Sequence, residues 1–120
     1  MPTLYGIRTC DTVRRARRWL DDHGVAYAWH DLRTDGLPPA TLDRWLAQVG
    51  DAVLVNRRGR TWRALPPAER EGLDAAALRA LLLAEPTLIK RPVVEDGDDL
   101  VVGFDAAAWA ARFAGRGAGA

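Results

Sequence analysis

The chain has 120 residues, 48% of them hydrophobic and 28% charged, which is enough apolar material for one buried core and too little for an array of domains. With 17 basic and 16 acidic residues its formal net charge is +1, and so weak a global field gives no basis for nucleic-acid binding. No run approaches the roughly 20 apolar residues of a membrane helix, and Met1-Pro2-Thr3-Leu4-Tyr5 lacks the basic-then-apolar order of a secretory signal, so a cytoplasmic protein without membrane contact is expected.

Thr3-Leu4-Tyr5-Gly6-Ile7 is a short apolar, partly β-branched run and predicts an opening buried strand. After the turn Arg8-Thr9-Cys10-Asp11-Thr12, the spacing of Val13, Ala16 and Leu20 predicts a helix from about Asp11 to His23, stopped by Gly24. Val25 to Asp31 alternates in part and predicts a second strand. Strand, helix, strand is a βαβ unit, whose first loop lies at the carboxyl edge of parallel strands.

Pro38-Pro39 precedes a second helical stripe, Leu42, Trp45, Leu46 and Val49, closed by Gly50. Residues 51 to 73 read as irregular or briefly helical, and Asp74 caps a helix carrying Leu78, Leu81 and Leu82, with Pro86 beyond its end. Residues 38 to 84 therefore form a helical block. Pro92-Val93-Val94-Glu95 and Leu100-Val101-Val102-Gly103 flank the turn-rich Asp96-Gly97-Asp98-Asp99, the pattern of a hairpin, and Asp105 caps a last helix with Trp109 and Phe113. Residues 114 to 120 are expected to be a mobile tail. The order β-α-β, helical block, β-β-α predicts an α/β fold: a mixed four-stranded sheet with helices packed on it and a helical insertion between its two halves, a single domain over residues 1 to 113.

Cys10 is the only cysteine, so the chain cannot form an internal disulfide, and it offers no CxxC pair or His/Cys set for a metal. A thiol reacts as its thiolate, and at a helix N-terminus the first N–H groups and the positive end of the macrodipole favour that anion. Cys10 falls beside such a terminus. The Thr12 hydroxyl is expected to donate to the sulfur, Arg8 or Arg14 to add positive charge, and Asp11 to oppose ionisation. Arginine makes up 16 of the 17 basic residues, clustered at Arg14, Arg15, Arg17, Arg18 and at Arg57, Arg58, Arg60, Arg63; the first cluster is expected to be a solvated helix face. Trp62 is expected to serve packing, and His23 and His30, at element ends, are assigned no role.

Three separated stretches, Tyr5-Gly6-Ile7-Arg8-Thr9-Cys10-Asp11-Thr12, Leu54 to Arg63 and Pro86-Thr87-Leu88-Ile89-Lys90-Arg91-Pro92, resemble the arsenate reductase (ArsC) family, above all its YffB-like branch, with Spx regulators as cousins. The resemblance spans about residues 3 to 113 and implies a thioredoxin-like fold. It further implies that Cys10 is the nucleophile, that Arg91 holds an anion, and that Pro92 is a cis-proline presenting a backbone edge to a thiol partner. A second anion-holding position falls on Asn56, Arg58 or Arg57. Where arsenate reductases carry a third arginine after the hairpin, this chain has Leu100-Val101-Val102-Gly103-Phe104, so arsenate turnover is expected to be weak or absent.

The expected activity is a thiol-dependent reductase without bound cofactor or metal, taking glutathione as co-substrate, with glutaredoxin as partner and a small electrophile or disulfide as substrate. The alternatives are a Spx-like regulator docking on RNA polymerase, without the CxxC of redox-switched forms because Cys10-Asp11-Thr12-Val13 lacks it, and a true arsenate reductase.

Overall fold

The structure is a computed structural model describing residues 1–114; the tail expected at 114 to 120 lies, from residue 115 on, outside the described residues. The chain divides into two compact units, Met1–Asp35 together with the chain from Arg91, and Gly36–Lys90.

The first unit holds a four-stranded sheet in the order β2-β1-β3-β4, built from β1 (Thr3–Gly6), β2 (Ala28–Asp31), β3 (Val93–Asp96) and β4 (Asp99–Val102). β1 runs parallel to β2 and antiparallel to β3, which is antiparallel to β4. Helix α1 (Asp11–Asp22) crosses from β1 to β2, and its buried face is Val13, Ala16 and Leu20, the residues whose spacing predicts it. Ala16 and Leu20 pack with Leu4, Val25, Val94, Trp109 and Phe113 in one cluster. Each fully buried leucine or valine there contributes about 1.5–3 kcal/mol.

β2 begins at Ala28 and not at Val25. Gly24 takes φ +67, and the Val25 N–H turns back to the Leu20 carbonyl at 2.9 Å while its side chain enters the core. Sheet pairing starts only where the Ala28 N–H meets the Pro2 carbonyl at 2.9 Å.

The β3–β4 turn is tighter than expected, because Asp96 and Asp99 are themselves paired and only Gly97 and Asp98 lie between the strands. Gly97, at φ +62, takes the first turn position, where a positive φ suits a two-residue hairpin. The last helix, α7 (Ala106–Arg112), is capped by Asp105, whose Oδ1 accepts the Ala107 and Ala108 N–H groups at 3.0 and 3.1 Å.

The second unit is helical: α2 (Pro39–Val49), α3 (Asp51–Leu54), α4 (Arg60–Ala64), α5 (Pro67–Arg70) and α6 (Ala75–Ala84), then a 3-10 turn at Pro86–Leu88. Leu42, Trp45, Leu54, Leu82, Leu88 and Ile89 are fully buried. The Asp74 carboxylate caps α6 by accepting the Ala77 N–H at 2.7 Å.

Gly6 sets the distance between β1 and α1. A Cβ at this position would stand 2.8 Å from both methyls of Val13 and 3.4 Å from the Trp29 ring, and Val13 is fully buried, so any shift it makes is passed to the packed core. Gly6→Ala is therefore expected to cost about 1–3 kcal/mol by overpacking, read as a lower urea midpoint at unchanged slope; a midpoint equal to that of the wild type would contradict the close approach.

Candidate functional site

The β1–α1 loop runs from Ile7 to Cys10, the N-cap of α1. The Cys10 N–H donates to the Ile7 carbonyl and its carbonyl accepts the Arg14 N–H, both at 3.0 Å, so the side chain stands at the mouth of the helix, half-buried. β3 begins at Val93, paired with Tyr5 near the end of β1, which carries Arg91, two residues earlier, toward the same loop.

The Cys10 side chain closes no regular capping bond; its large sulfur takes several weaker contributions at once. Burial pushes the thiol pKa up, but the Val13 N–H, the Arg91 guanidinium by hydrogen bond and by charge, and the Thr12 N–H together hold it below the ordinary value. The structure therefore brings together Cys10, Thr12, Val13 and Arg91. The Arg91–Pro92 bond is cis; Pro92 is buried, and its carbonyl accepts the Gly103 N–H at 2.8 Å.

Three expectations need correction. Thr12 acts through its backbone N–H, since its hydroxyl faces Arg15, 3.5 Å away. Arg14 is paired at 3.3 Å with the exposed Asp11 carboxylate, and Arg8 is exposed; the positive charge at the sulfur is Arg91. The Asp11 carboxylate, expected to oppose ionisation, points to solvent and is paired with Arg14, so water and that guanidinium screen its charge from the sulfur.

Asn56 and Arg58 belong to the helical unit. With Ala52, Val55, Arg57 and Lys90 they line a pocket of about 460 Å³. Asn56 is half-buried and its N–H donates to the Leu88 carbonyl at 2.8 Å, while Arg58 is exposed. Arg57 is already engaged, 2.9 Å from the Asp51 carboxylate and 5.3 Å from the centre of the Trp62 ring. Trp62 is buried, in keeping with packing. Among the described residues there is no cluster of three or more His, Cys, Asp or Glu able to hold a metal, and no helix is long and apolar enough to cross a membrane.

One residue near the site went unnoticed in the sequence. Asp31, at the end of β2, is 3% exposed and its Oδ2 accepts the Arg8 N–H at 3.0 Å, two residues before Cys10. Burial raises its carboxyl pKa, but the N–H groups of Thr34, Arg33 and Arg8 and the charge of Arg8 outweigh that and hold it below the ordinary range. The unfolded chain thus takes up this proton first on acidification. Asp31 stabilises the fold above the ordinary carboxylate pKa of about 3.9, and this contribution is lost as the pH falls through the lower native value. The available signal was the run Asp31-Leu32-Arg33-Thr34 after a strand, where a short acceptor side chain can gather the next N–H groups.

The model of the ArsC family matches residues 5–112. An uncharacterized protein of Haemophilus influenzae is 41% identical over 114 residues, covering 95% of this chain and 100% of its own. The global transcriptional regulator Spx of Streptococcus agalactiae is 28% identical over 107 residues, or 88% of this chain and 77% of its own. Among solved structures, one described as YFFB protein superposes with a TM-score of 0.87 at 46% identity over 92% of this chain and 97% of its own. An arsenate reductase related protein from Brucella melitensis superposes at 0.77 with 48% identity, covering 94% of each chain.

Proposed function

Since the chain belongs to the ArsC family and has a thioredoxin-like fold, we propose that it is a small thiol-dependent reductase in which Cys10 is the nucleophile and glutathione the co-substrate. The observation that carries this reading is the half-buried Cys10 sulfur at the N-terminus of α1, its pKa lowered by the Val13 N–H and the Arg91 guanidinium. A sulfur so held ionises more readily than a free thiol and is still reachable.

The Cys10 thiolate attacks one sulfur of a disulfide; the S–S bond breaks, one half leaves as a thiolate and the other stays bound to Cys10. The chain has no second cysteine to resolve this mixed disulfide, so an external thiolate, that of glutathione, attacks it, restores the Cys10 thiolate and leaves as the new disulfide. Glutaredoxin and glutathione then supply the electron pair that reduces that product. Arg91 steadies the negative charge gathered at the site.

The test is NADPH consumption coupled through glutathione reductase, with a small organic disulfide in one arm and arsenate in another. Disulfide turnover that requires added glutathione or glutaredoxin is expected, with arsenate near background; an absence of disulfide turnover with either thiol would remove the reductase reading. The Spx relative favours one alternative, a scaffold docking on RNA polymerase. In that case a lysate pull-down recovers polymerase in stoichiometric amount, equally with Cys10→Ser.

A further inference from the structure

The loop that carries Cys10 has little of its own to hold it. Ile7 is buried, but Arg8 and Thr9 are exposed, and its fastening comes from the neighbouring strand. Asp31 is the buried carboxylate of the described core. Its Oδ1 accepts the Arg33 and Thr34 N–H groups at 2.8 and 3.1 Å, and its Oδ2 accepts the Arg8 N–H at 3.0 Å. Its main chain exchanges bonds with Asp35, the Asp31 N–H donating to the Asp35 carboxylate at 2.9 Å and the Asp35 N–H to the Asp31 carbonyl at 2.8 Å.

A buried carboxylate is costly unless donors surround it. Here three backbone N–H groups do so, and two of them already define the turn after β2. The third crosses to another loop, and for the turn alone it is superfluous.

We infer that Asp31 is a positioning residue for Cys10: through the Arg8 N–H it fixes the β1–α1 loop so that the sulfur meets the first N–H groups of α1 and the Arg91 guanidinium. This rests on Cys10 being the reactive thiol. Hydrogen bonds weaken steeply with distance and misalignment, so a loop that drifts loses its hold on the thiolate without unfolding. A purely electrostatic role has the opposite sign, because removing a negative charge near the sulfur favours the thiolate.

Asp31→Asn separates the two. The amide keeps one oxygen for Arg33 and Thr34 and turns an N–H2 donor toward the Arg8 N–H, breaking the crossing bond at nearly constant volume. Asp35→Asn is the control, since Asp35 braces the same turn and makes no bond to the Cys10 loop.

The measurement is the pH profile of iodoacetamide alkylation of Cys10. Asp31→Asn is expected to move the midpoint to higher pH and to slow alkylation at neutral pH about tenfold, short of the ~100-fold that a 1 Å misplacement can cost. Asp35→Asn is expected to leave the midpoint in place even if it lowers the melting temperature. A midpoint in Asp31→Asn that is unchanged or lower overturns the inference.

Should Asp31→Asn fail to fold, amide exchange in the wild-type protein decides. An Arg8 N–H protected as strongly as the sheet amides supports the role, and one exchanging like an open loop rejects it. Alkylation reads the sulfur directly, so a protein that alkylates as expected yet turns over no disulfide rejects the reductase reading and leaves the role of Asp31 intact.

Discussion

Cys10→Ser is expected to abolish the glutathione adduct that the wild type should form with oxidised glutathione, read by mass spectrometry, and to lower disulfide turnover by about 10³-fold or more, the scale on which removal of a covalent nucleophile acts. The loss should be complete because nothing can substitute: the chain has one cysteine, and a serine hydroxyl in the same N-cap position is far too weakly acidic to ionise. Serine is also a favourable N-cap, so the variant should fold at least as well as the wild type, and a lost adduct cannot be ascribed to a damaged α1. An adduct of undiminished yield in Cys10→Ser would remove the proposed nucleophile altogether.

The second large effect belongs to Arg91. Its guanidinium acts on the Cys10 sulfur both as hydrogen-bond donor and as charge, and either loss returns the thiol toward its ordinary pKa. In Arg91→Gln the thiolate is scarcer at neutral pH, and alkylation there is expected to fall about tenfold, the equivalent of one charge-assisted hydrogen bond of about 1.5 kcal/mol. The sign then reverses with pH. A thiolate of higher pKa is intrinsically the better nucleophile, so above its midpoint the variant should react as fast as the wild type or faster, and the two profiles should cross. Arg91→Lys keeps the charge and loses the planar fork, which places its profile between them. Profiles that superpose for wild type and Arg91→Gln would show that Arg91 does not act on the sulfur.

What could be read from the sequence was whatever depends on near neighbours along the chain. Val13, Ala16 and Leu20 announce α1 because a helix repeats its buried face every three to four residues, and Gly6-Ile7-Arg8-Thr9-Cys10 places the thiol at a helix mouth. Val25 misled because its apolar side chain serves the core cluster while its N–H still closes the end of α1, and hydropathy does not distinguish packing from sheet pairing. Near neighbours along the chain offer Arg8 and Arg14 as the positive charge at the sulfur; Arg91, which the family motifs indicate as an anion holder, lies 81 positions away and reaches the site only because β3 pairs with β1. Asp31 was missed for a related reason: β2 delivers its carboxylate to the β1–α1 loop across a parallel register, Gly6 to Asp31, which no local pattern reveals.

The placement of β1 between β2 and β3 has a consequence for breathing motions. A strand bonded along both sides belongs to the part of a protein that opens last, close to the free energy of global unfolding, whereas margins and tips fray at little cost. The Cys10 loop is rooted in that slow-opening strand and leaves its sulfur half-exposed without any opening. Its chemistry should therefore be governed by pH and by the approach of its partner, and be indifferent to mild denaturant until the whole sheet gives way.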